Sequence, residues 1–487
     1  MSSKVEVKIT HLIYNIIISD SKLNLESEKV DNICETLTNI LNEFDNCVFQ
    51  AVQEKPHYQS ILQKLQAAII SSASILDKYG CNSQNAREVI KSFLQDLLYS
   101  FDESIDPTFF GRQQLLSTLE KDLSRCQGVA LLGIKKSGKT SVLLQLKLSM
   151  QKHPIVYIDL QLYGGSCYGA KLFNEILKQL QNLLNKQNST YNGVMELFDI
   201  NAPAKEISYQ FVEEFCRLSQ MLEKNNYSIP IVCLLDEIEN IFPTEKDSVE
   251  KVEEFNAFFG TLRSLSQSKS QLSLLVTGVY PDFNHRNNWT QPNVSTNPVF
   301  QFFKEIYLQP FTLQETRIML TEMGQSMGIK FELEVLDAIQ KESSGHPFIA
   351  QQISILLNKE AEKKDNNSLK LITYSSAKPY LKQILDYSDS LRNYFQQDIW
   401  DNLKRRNFNI AITILSLLAY NDFLTESIIE EALLTRLNGK CCTGDCESAL
   451  LWLDNVGLIK EHQFDQEIAY SLQIPLLSKW VIREFVQ

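Results

Sequence analysis

Apolar positions in the first hundred residues recur at helical spacing. Leu12, Ile13, Ile16 and Ile17 form one such set, and Ile33, Leu37, Ile40, Leu41 and Phe44 another. Ile61, Leu62, Leu65 and Ile69, then Ile90, Phe93, Leu94 and Leu97, complete four periodic stretches. Breaks near Ser19–Asn24, Lys55–Pro56 and Tyr79–Ser83 separate them, so residues 1–103 read as an α-helical N-terminal bundle. The first stretch also fits a strand start over Val5–Ile9. Beyond the polar linker Asp102–Pro107 the period changes. An amphipathic helix carrying Leu115, Leu116, Leu119 and Leu123 leads into short, continuously apolar runs: Gly128–Ile134, Ile155–Leu160, Ile229–Leu235, Leu272–Thr277 and Ile306–Leu308. Helical stretches lie between them. That rhythm predicts an α/β domain over 108–310, a parallel sheet with helices on both faces.

Farther on, Ile410–Leu418, Thr425–Leu434 and Glu447–Asn455 read as short helices. Gly457–Glu461 and Ile468–Ile474 follow as a two-stranded hairpin, and Pro475–Ile482 closes as a helix. This is a winged-helix pattern over 401–487.

The chain has 487 residues, a hydrophobic fraction of 44% and a net charge of −12. An acidic chain disfavours a large non-specific nucleic-acid footprint. Ten cysteines, scattered in apolar surroundings such as Cys233, suit reduced thiols. No apolar run reaches the roughly 18 residues of a membrane helix, and the charged start resembles no signal peptide. A cytoplasmic protein is the expectation.

The chemistry concentrates in Gly133-Ile-Lys-Lys136-Ser137-Gly138-Lys139-Thr140-Ser141, which fits G-x-x-x-x-G-K-[ST] between an expected strand and an expected helix. Glycines let successive N–H groups turn inward around phosphate oxygens, and the helix N-terminus adds partial positive charge. Lys139 is expected on the β- and γ-phosphates and the Thr140 hydroxyl on Mg²⁺. About a hundred residues later, an apolar strand delivers Asp236 and Glu237. Asp236 is expected to hold Mg²⁺ and Glu237 to act as general base on the attacking water. Glu239, in the same acidic turn, is expected to face solvent. Thr277, ending the fourth strand, either lies near the γ-phosphate or caps the strand.

Taken together, Phe110-Gly111-Arg112, the phosphate loop, Leu234-Leu-Asp-Glu-Ile-Glu-Asn-Ile-Phe242, Leu274-Leu-Val-Thr-Gly278, Ile306–Thr316 and Ser344-Gly345-His346-Pro347-Phe348 resemble the STAND branch of the AAA+ ATPases, found in prokaryotic signalling and defence proteins. The resemblance covers about Thr108 to Gln487. It implies an ATPase using ATP/ADP and Mg²⁺, with Phe110, Gly111 and Arg112 lining the adenine pocket. It also implies a helical lid over 311–400 in which Pro347 packs near the base or ribose. His346 occupies the variable position of the Gly-x-Pro motif. No arginine finger is assigned; Arg263 and Arg286 are candidates by placement.

The implied function is an ATP-dependent switch that oligomerises on ATP binding and recruits a protein partner through residues 1–103. Family members usually carry long C-terminal repeats, so sensing here is expected from the bundle, a separate subunit or the core. A DNA-associated ATPase, resembling origin-binding or transposition regulators, is the alternative, but helix 447–455 lacks the basic residues that phosphates need. A third alternative is a scaffold that binds nucleotide without turnover. His11 and His57 read as surface or packing residues. Cys441, Cys442 and Cys446 read as a loop of reduced thiols; the alternative is a zinc site with His462 as fourth ligand, for which no second cysteine pair is present.

Overall fold

The computed structural model describes residues 109–485, apart from 165–167, 187–203, 244–247, 268–269, 281–301, 327–328, 363–369, 406–407, 438–442 and 465–466. The expected bundle, its histidines, the linker, the loop with Arg286, and Cys441 and Cys442 lie outside the described residues.

The described residues divide between two compact units. The larger comprises Gly111–Leu313, Ile339–Gln352 and Gln383–Gln487. Its centre is a five-stranded sheet: β1 (Val129–Leu132), β2 (Ile155–Asp159), β3 (Ile231–Asp236), β4 (Leu272–Gly278) and β5 (Lys304–Tyr307), in the order β2-β3-β4-β1-β5. All pairs are parallel, with Asp159 opposite Asp236 and Leu131 opposite Thr277.

β1, β3 and β4 are buried along their whole length, which is why they read as unbroken apolar runs. Alternate side chains serve different layers. Ala130, Leu132, Ile158, Cys233, Leu235, Leu274 and Val276 join the core formed with helices Tyr168–Lys186, Ala204–Lys224 and Val249–Gln267. There Phe173 stacks on Phe211 at 4.1 Å and tilts against Phe258 at 5.0 Å. Helices Gln113–Leu123 and Lys139–Ser149 pack against β1, β4 and β3. The boundaries move little from expectation. β3 starts after Pro230, which has no N–H to give a ladder.

The same unit contains a π-helix at Tyr394–Trp400, helices Asn409–Ala419, Glu426–Arg436, Thr443–Asn455 and Pro475–Phe485, and an antiparallel sheet. Its strands are β8 (Leu424–Thr425), β9 (Ile459–Phe464) and β10 (Glu467–Leu472), in the order β8-β10-β9. The expected two-stranded hairpin therefore has a third strand. β8 has only two residues, too few to leave an alternating signature. Helix Thr443–Asn455 is tied to the end of β4. Trp452 Nε1 donates to Val279 O at 3.4 Å, and its ring lies 5.2 Å from that of Tyr280. Cys446 is buried within that helix, and His462 faces the Ser471 hydroxyl at 2.9 Å. Among the described residues no cluster could hold a metal through histidine, cysteine and carboxylates, and no helix is long and apolar enough to cross a membrane.

The smaller unit includes Gln314–Ala338 and Ile353–Lys382. The stretch expected to be helical also holds a parallel strand pair, β6 (Ile329–Phe331) with β7 (Lys370–Ile372). Glu332 closes the pair: its carboxylate accepts from Tyr374 N–H at 2.7 Å. Arg317 binds Asp337 nearby at 2.5 Å.

Candidate functional site

β1 ends at Leu132, and the loop that follows turns into helix Lys139–Ser149. The turn needs Gly138, whose φ is 98°. Gly133 N–H donates to Gly278 O at 3.1 Å, fixing the loop's start against the end of β4. Lys139 is 3% exposed, and its ammonium donates to Gly133 O at 2.9 Å and Ile134 O at 3.2 Å. The charge is thus held inside the loop. Ser137 is buried as well, with no hydrogen bond to its hydroxyl, while Ser141 sits half-buried in the first helical turn.

Asp236 ends β3 at 2% exposure. Thr140 Oγ1 donates to Asp236 Oδ2 at 2.6 Å, Tyr157 Oη donates to the same oxygen at 3.3 Å, and Thr277 Oγ1 donates to Oδ1. The hydroxyl and carboxylate expected to share Mg²⁺ are therefore already adjacent. Their hard oxygen donors fit that ion. Thr277 also accepts from Glu237 N–H at 3.1 Å, so one side chain fixes both acidic residues.

Glu237 sits in the left-handed region (φ 59°, ψ 53°). Burial, then the charge of Glu239, raises its carboxyl to about 7, against the opposing pull of Lys139. A carboxyl that titrates near neutrality is suited to a general base. The expectation that Glu239 faces solvent is wrong: both its carboxylate oxygens are buried without a hydrogen bond. The turn Ile238–Asn240 is a 3₁₀ helix, which folds the side chain back over Gly278 instead of outward.

A narrow cleft beside the loop is lined by Arg112, Ile134, His346, Pro347, Val456 and Ile474, among others. Gly111 and Arg112 both have positive φ, of 62° and 64°. Arg112 donates to Ser137 O at 2.9 Å, and its guanidinium lies 4.8 Å above the Phe311 ring. Phe110 is buried. Gly345, at φ 78°, directly precedes the cleft residue His346; its carbonyl accepts from Phe311 N–H at 2.8 Å. His346 is 3% exposed, and burial, reinforced by the Arg112 charge, pushes it down to about 3, so it is neutral. Ile349 N–H points at Nδ1 from 3.5 Å, which leaves Nε2 to face the Tyr394 hydroxyl at 3.1 Å.

Tyr394 was not singled out by the sequence. Its hydroxyl also donates to Lys135 O at 3.0 Å. Asp398, one turn on, lies 3.3 Å from Lys136 and 4.0 Å from Lys135. Lys136 also stands 4.3 Å above the Phe348 ring. The structure thus joins the phosphate-loop residues, Asp236, Glu237, Thr277, Arg112, His346 and Pro347 in one site. Arg263 is not part of it: it is half-buried and bonds Gln267 at 2.9 Å, one turn along its own helix.

No curated protein matches the chain. Among solved structures, the Walker-type ATPase of Pyrococcus abyssi is similar at 16% identity and TM-score 0.54, covering 79% of this chain and 99% of that chain. That likeness shows a P-loop ATPase fold. The ORC2 protein of Aeropyrum pernix, in ADPNP–ADP complexes, is 12% identical at TM-score 0.45, with 80% and 98% covered. Cdc6p from Pyrobaculum aerophilum is 15% identical at TM-score 0.36, with 80% and 99% covered. The profile of the family described as novel STAND NTPase 1 matches residues 97–415, well over half of the sequence. The chain belongs to the novel STAND NTPase 1 family, a group of P-loop NTPases.

Proposed function

We propose that this NTPase is an ATP-dependent molecular switch. The observation that carries the reading is the direct bonding of the phosphate loop to C-terminal segments. Tyr394 and Asp398 hold Lys135 and Lys136, while Val456 and Ile474 wall the same cleft as Arg112 and Ile134. A nucleotide seated there touches both parts, so its identity biases their arrangement. A ligand shifts an equilibrium only through such differential contacts.

In this reading Arg112, His346 and Pro347 border the base and ribose, and the loop N–H groups with Lys139 grip the phosphates. Thr140 and Asp236 hold Mg²⁺, which supplies charge neutralisation on the phosphate oxygens. Glu237 takes the proton of the attacking water, with Thr277 fixing its backbone. Turnover is slow and resets the switch. The state passes to a protein partner through residues 1–103 and to further copies of the chain, in signalling or defence within the cytoplasm.

The segment 401–487 acts as a winged helix that packs inside the molecule, and two observations support this over DNA readout. Trp452 of helix Thr443–Asn455 is spent on Val279 and Tyr280. Glu426 sits among Glu430, Glu447 and Glu461, and burial together with those charges holds its carboxyl above the usual range. Phosphate needs the opposite charge.

The test is particle mass by light scattering with ADP, or with a non-hydrolysable ATP analogue and Mg²⁺, each with and without duplex DNA. Assembly with the analogue alone supports the switch. Assembly that needs DNA favours the alternative, a DNA-associated ATPase. Lys139→Ala should abolish nucleotide binding, and retained affinity would overturn the phosphate-loop assignment.

A further inference from the structure

The peptide between Lys135 and Lys136 is held from outside the phosphate loop. The Tyr394 hydroxyl, from the π-helix, donates to Lys135 O at 3.0 Å. The His346 ring meets that hydroxyl at 3.1 Å and is a hydrogen-bond partner of the same carbonyl. Tyr394 and His346 are both buried, so water does not compete for these bonds.

Planarity carries the consequence to the next residue. The Lys135–Lys136 bond is trans, so the Lys136 N–H points opposite to the Lys135 carbonyl. With the carbonyl turned out to Tyr394, the N–H faces into the loop. Among the described residues it has no acceptor. Convergent, unpaired N–H groups are what a phosphate oxygen binds. Lys136 does not line the cleft that the proposed function gives to base and ribose, so its N–H serves the phosphate end.

The backbone itself opposes this orientation. Lys136 has a φ of 60°, in the left-handed region that lysine rarely adopts. Turning the peptide over would bring φ to about −120°, within the broad region open to every residue. It would also aim the Lys135 carbonyl at the phosphates. An unfavourable conformation persists only where its surroundings enforce it. Here the enforcing groups are Tyr394 and His346, and neither belongs to the loop.

We infer that Tyr394, with His346 behind it, is a positioning residue for phosphate binding: it keeps the Lys136 N–H turned toward the phosphates beyond the first, so that the grip on a nucleoside di- or triphosphate depends on the π-helix being seated. The inference rests on the proposal that this loop binds ATP and ADP.

The experiment uses the full chain, well below its melting range, and measures affinity for a fluorescent ADP and competition by AMP. Tyr394→Phe should lower ADP affinity about fivefold, the scale of one net hydrogen bond, and AMP affinity by less than about twofold. Two double variants separate backbone from charge. Tyr394→Phe with Lys136→Gly should recover most of the loss, because glycine takes a positive φ without strain. Tyr394→Phe with Lys136→Ala removes the same ammonium and keeps the strain, so it should recover nothing. Equal losses for ADP and AMP would place the effect of Tyr394 in the base cleft and overturn the inference. Recovery by alanine as complete as by glycine, or ADP affinity unchanged in Tyr394→Phe, overturns it while leaving the phosphate loop intact. Wild-type affinity for ADP in Lys139→Ala sinks the phosphate-loop reading, and the inference with it.

Discussion

The Tyr394 hydroxyl donates to the carbonyl oxygen of Lys135 at 3.0 Å, across 259 residues of chain. Tyr394 is itself buried, and burial raises its phenol well above the usual value, so it is a permanent donor at any working pH. This bond fixes the outer bend of the phosphate loop to the π-helix. Tyr394→Phe removes it, together with the contact to His346 Nε2, while leaving the ring contacts with Phe348 and Phe395. A net hydrogen bond contributes about 1 kcal/mol. Release of a fluorescent ADP should therefore speed up roughly fivefold in stopped-flow measurements, and an unchanged off-rate would separate the loop from the π-helix.

Asp398 tests the same connection by charge. Its carboxylate pairs with Lys136 at 3.3 Å and Lys135 at 4.0 Å, and under the proposed function phosphates would compete for the same lysines. Both lysines are partly solvated, so the pair contributes on the order of 0.2–1 kcal/mol. Asp398→Asn should raise ATP affinity about two- to fivefold at low salt. The gain should fade as ionic strength rises toward about 1 M, where screening acts within a few ångströms. Titration calorimetry at two salt concentrations reads both effects.

The α/β fold and the phosphate-loop end of the candidate site were legible because their signals are local. Gly133 to Thr140 are neighbours in sequence, and the apolar run to Asp236 and Glu237 announces a buried strand and what it delivers. The connection through Tyr394 and Asp398 had no such signature: a tyrosine and an aspartate in Tyr394-Phe-Gln-Gln-Asp398 resemble any amphipathic helix. Their roles exist only once the π-helix is packed beside the loop. Glu239 was misread for a related reason. In sequence it belongs to an acidic turn, and acidic turns are ordinarily solvated; that its side chain folds over Gly278 follows from the 3₁₀ geometry, which residue type does not encode. The strands β6, β7 and β8 are two or three residues long, below the length at which alternation is readable.

Gly345 has no substitute. A Cβ there would meet Phe311 O at 1.9 Å, and its φ of 78° is strained for any other residue. Phe311 N–H also donates to the Gly345 carbonyl, so the two segments cannot separate without losing that bond. Gly345→Ala should cost more than about 3 kcal/mol, the range of severe backbone conflicts. The outcome expected is poor soluble yield, or a thermal midpoint lowered by roughly 5 °C or more.

His346 gives the protein a specific acid sensitivity. Its folded value of about 3 lies below the ordinary 6.5 because burial, and then the Arg112 charge, disfavour the cation. Between those values the unfolded chain binds a proton that the folded chain does not. Stability from this group is therefore complete above about pH 6.5 and is lost as pH falls toward 3. The loss approaches about 1.4 kcal/mol per pH unit. His346→Gln removes the titration. The wild-type midpoint should therefore fall more steeply than the variant's between about pH 6.5 and 4.5. Parallel curves would mean that His346 takes up its proton in place.

Thr277 joins two functions that a single substitution can separate. Its hydroxyl donates to Asp236 and accepts from Glu237 N–H, so it orients the expected metal ligand and the expected base together. Thr277→Val keeps the shape and deletes both bonds, leaving a buried carboxylate oxygen and a backbone N–H without this partner. That costs about 1–3 kcal/mol, visible as a midpoint lowered by several degrees. Thr277→Ser restores the hydroxyl and should recover both stability and turnover. If Thr277 merely caps β4, valine should lower the midpoint with kcat per folded molecule preserved. If it aligns Asp236 and Glu237, kcat should fall at least tenfold in the valine variant at saturating ATP, even well below its melting range, because displaced reacting groups cost rate on that scale.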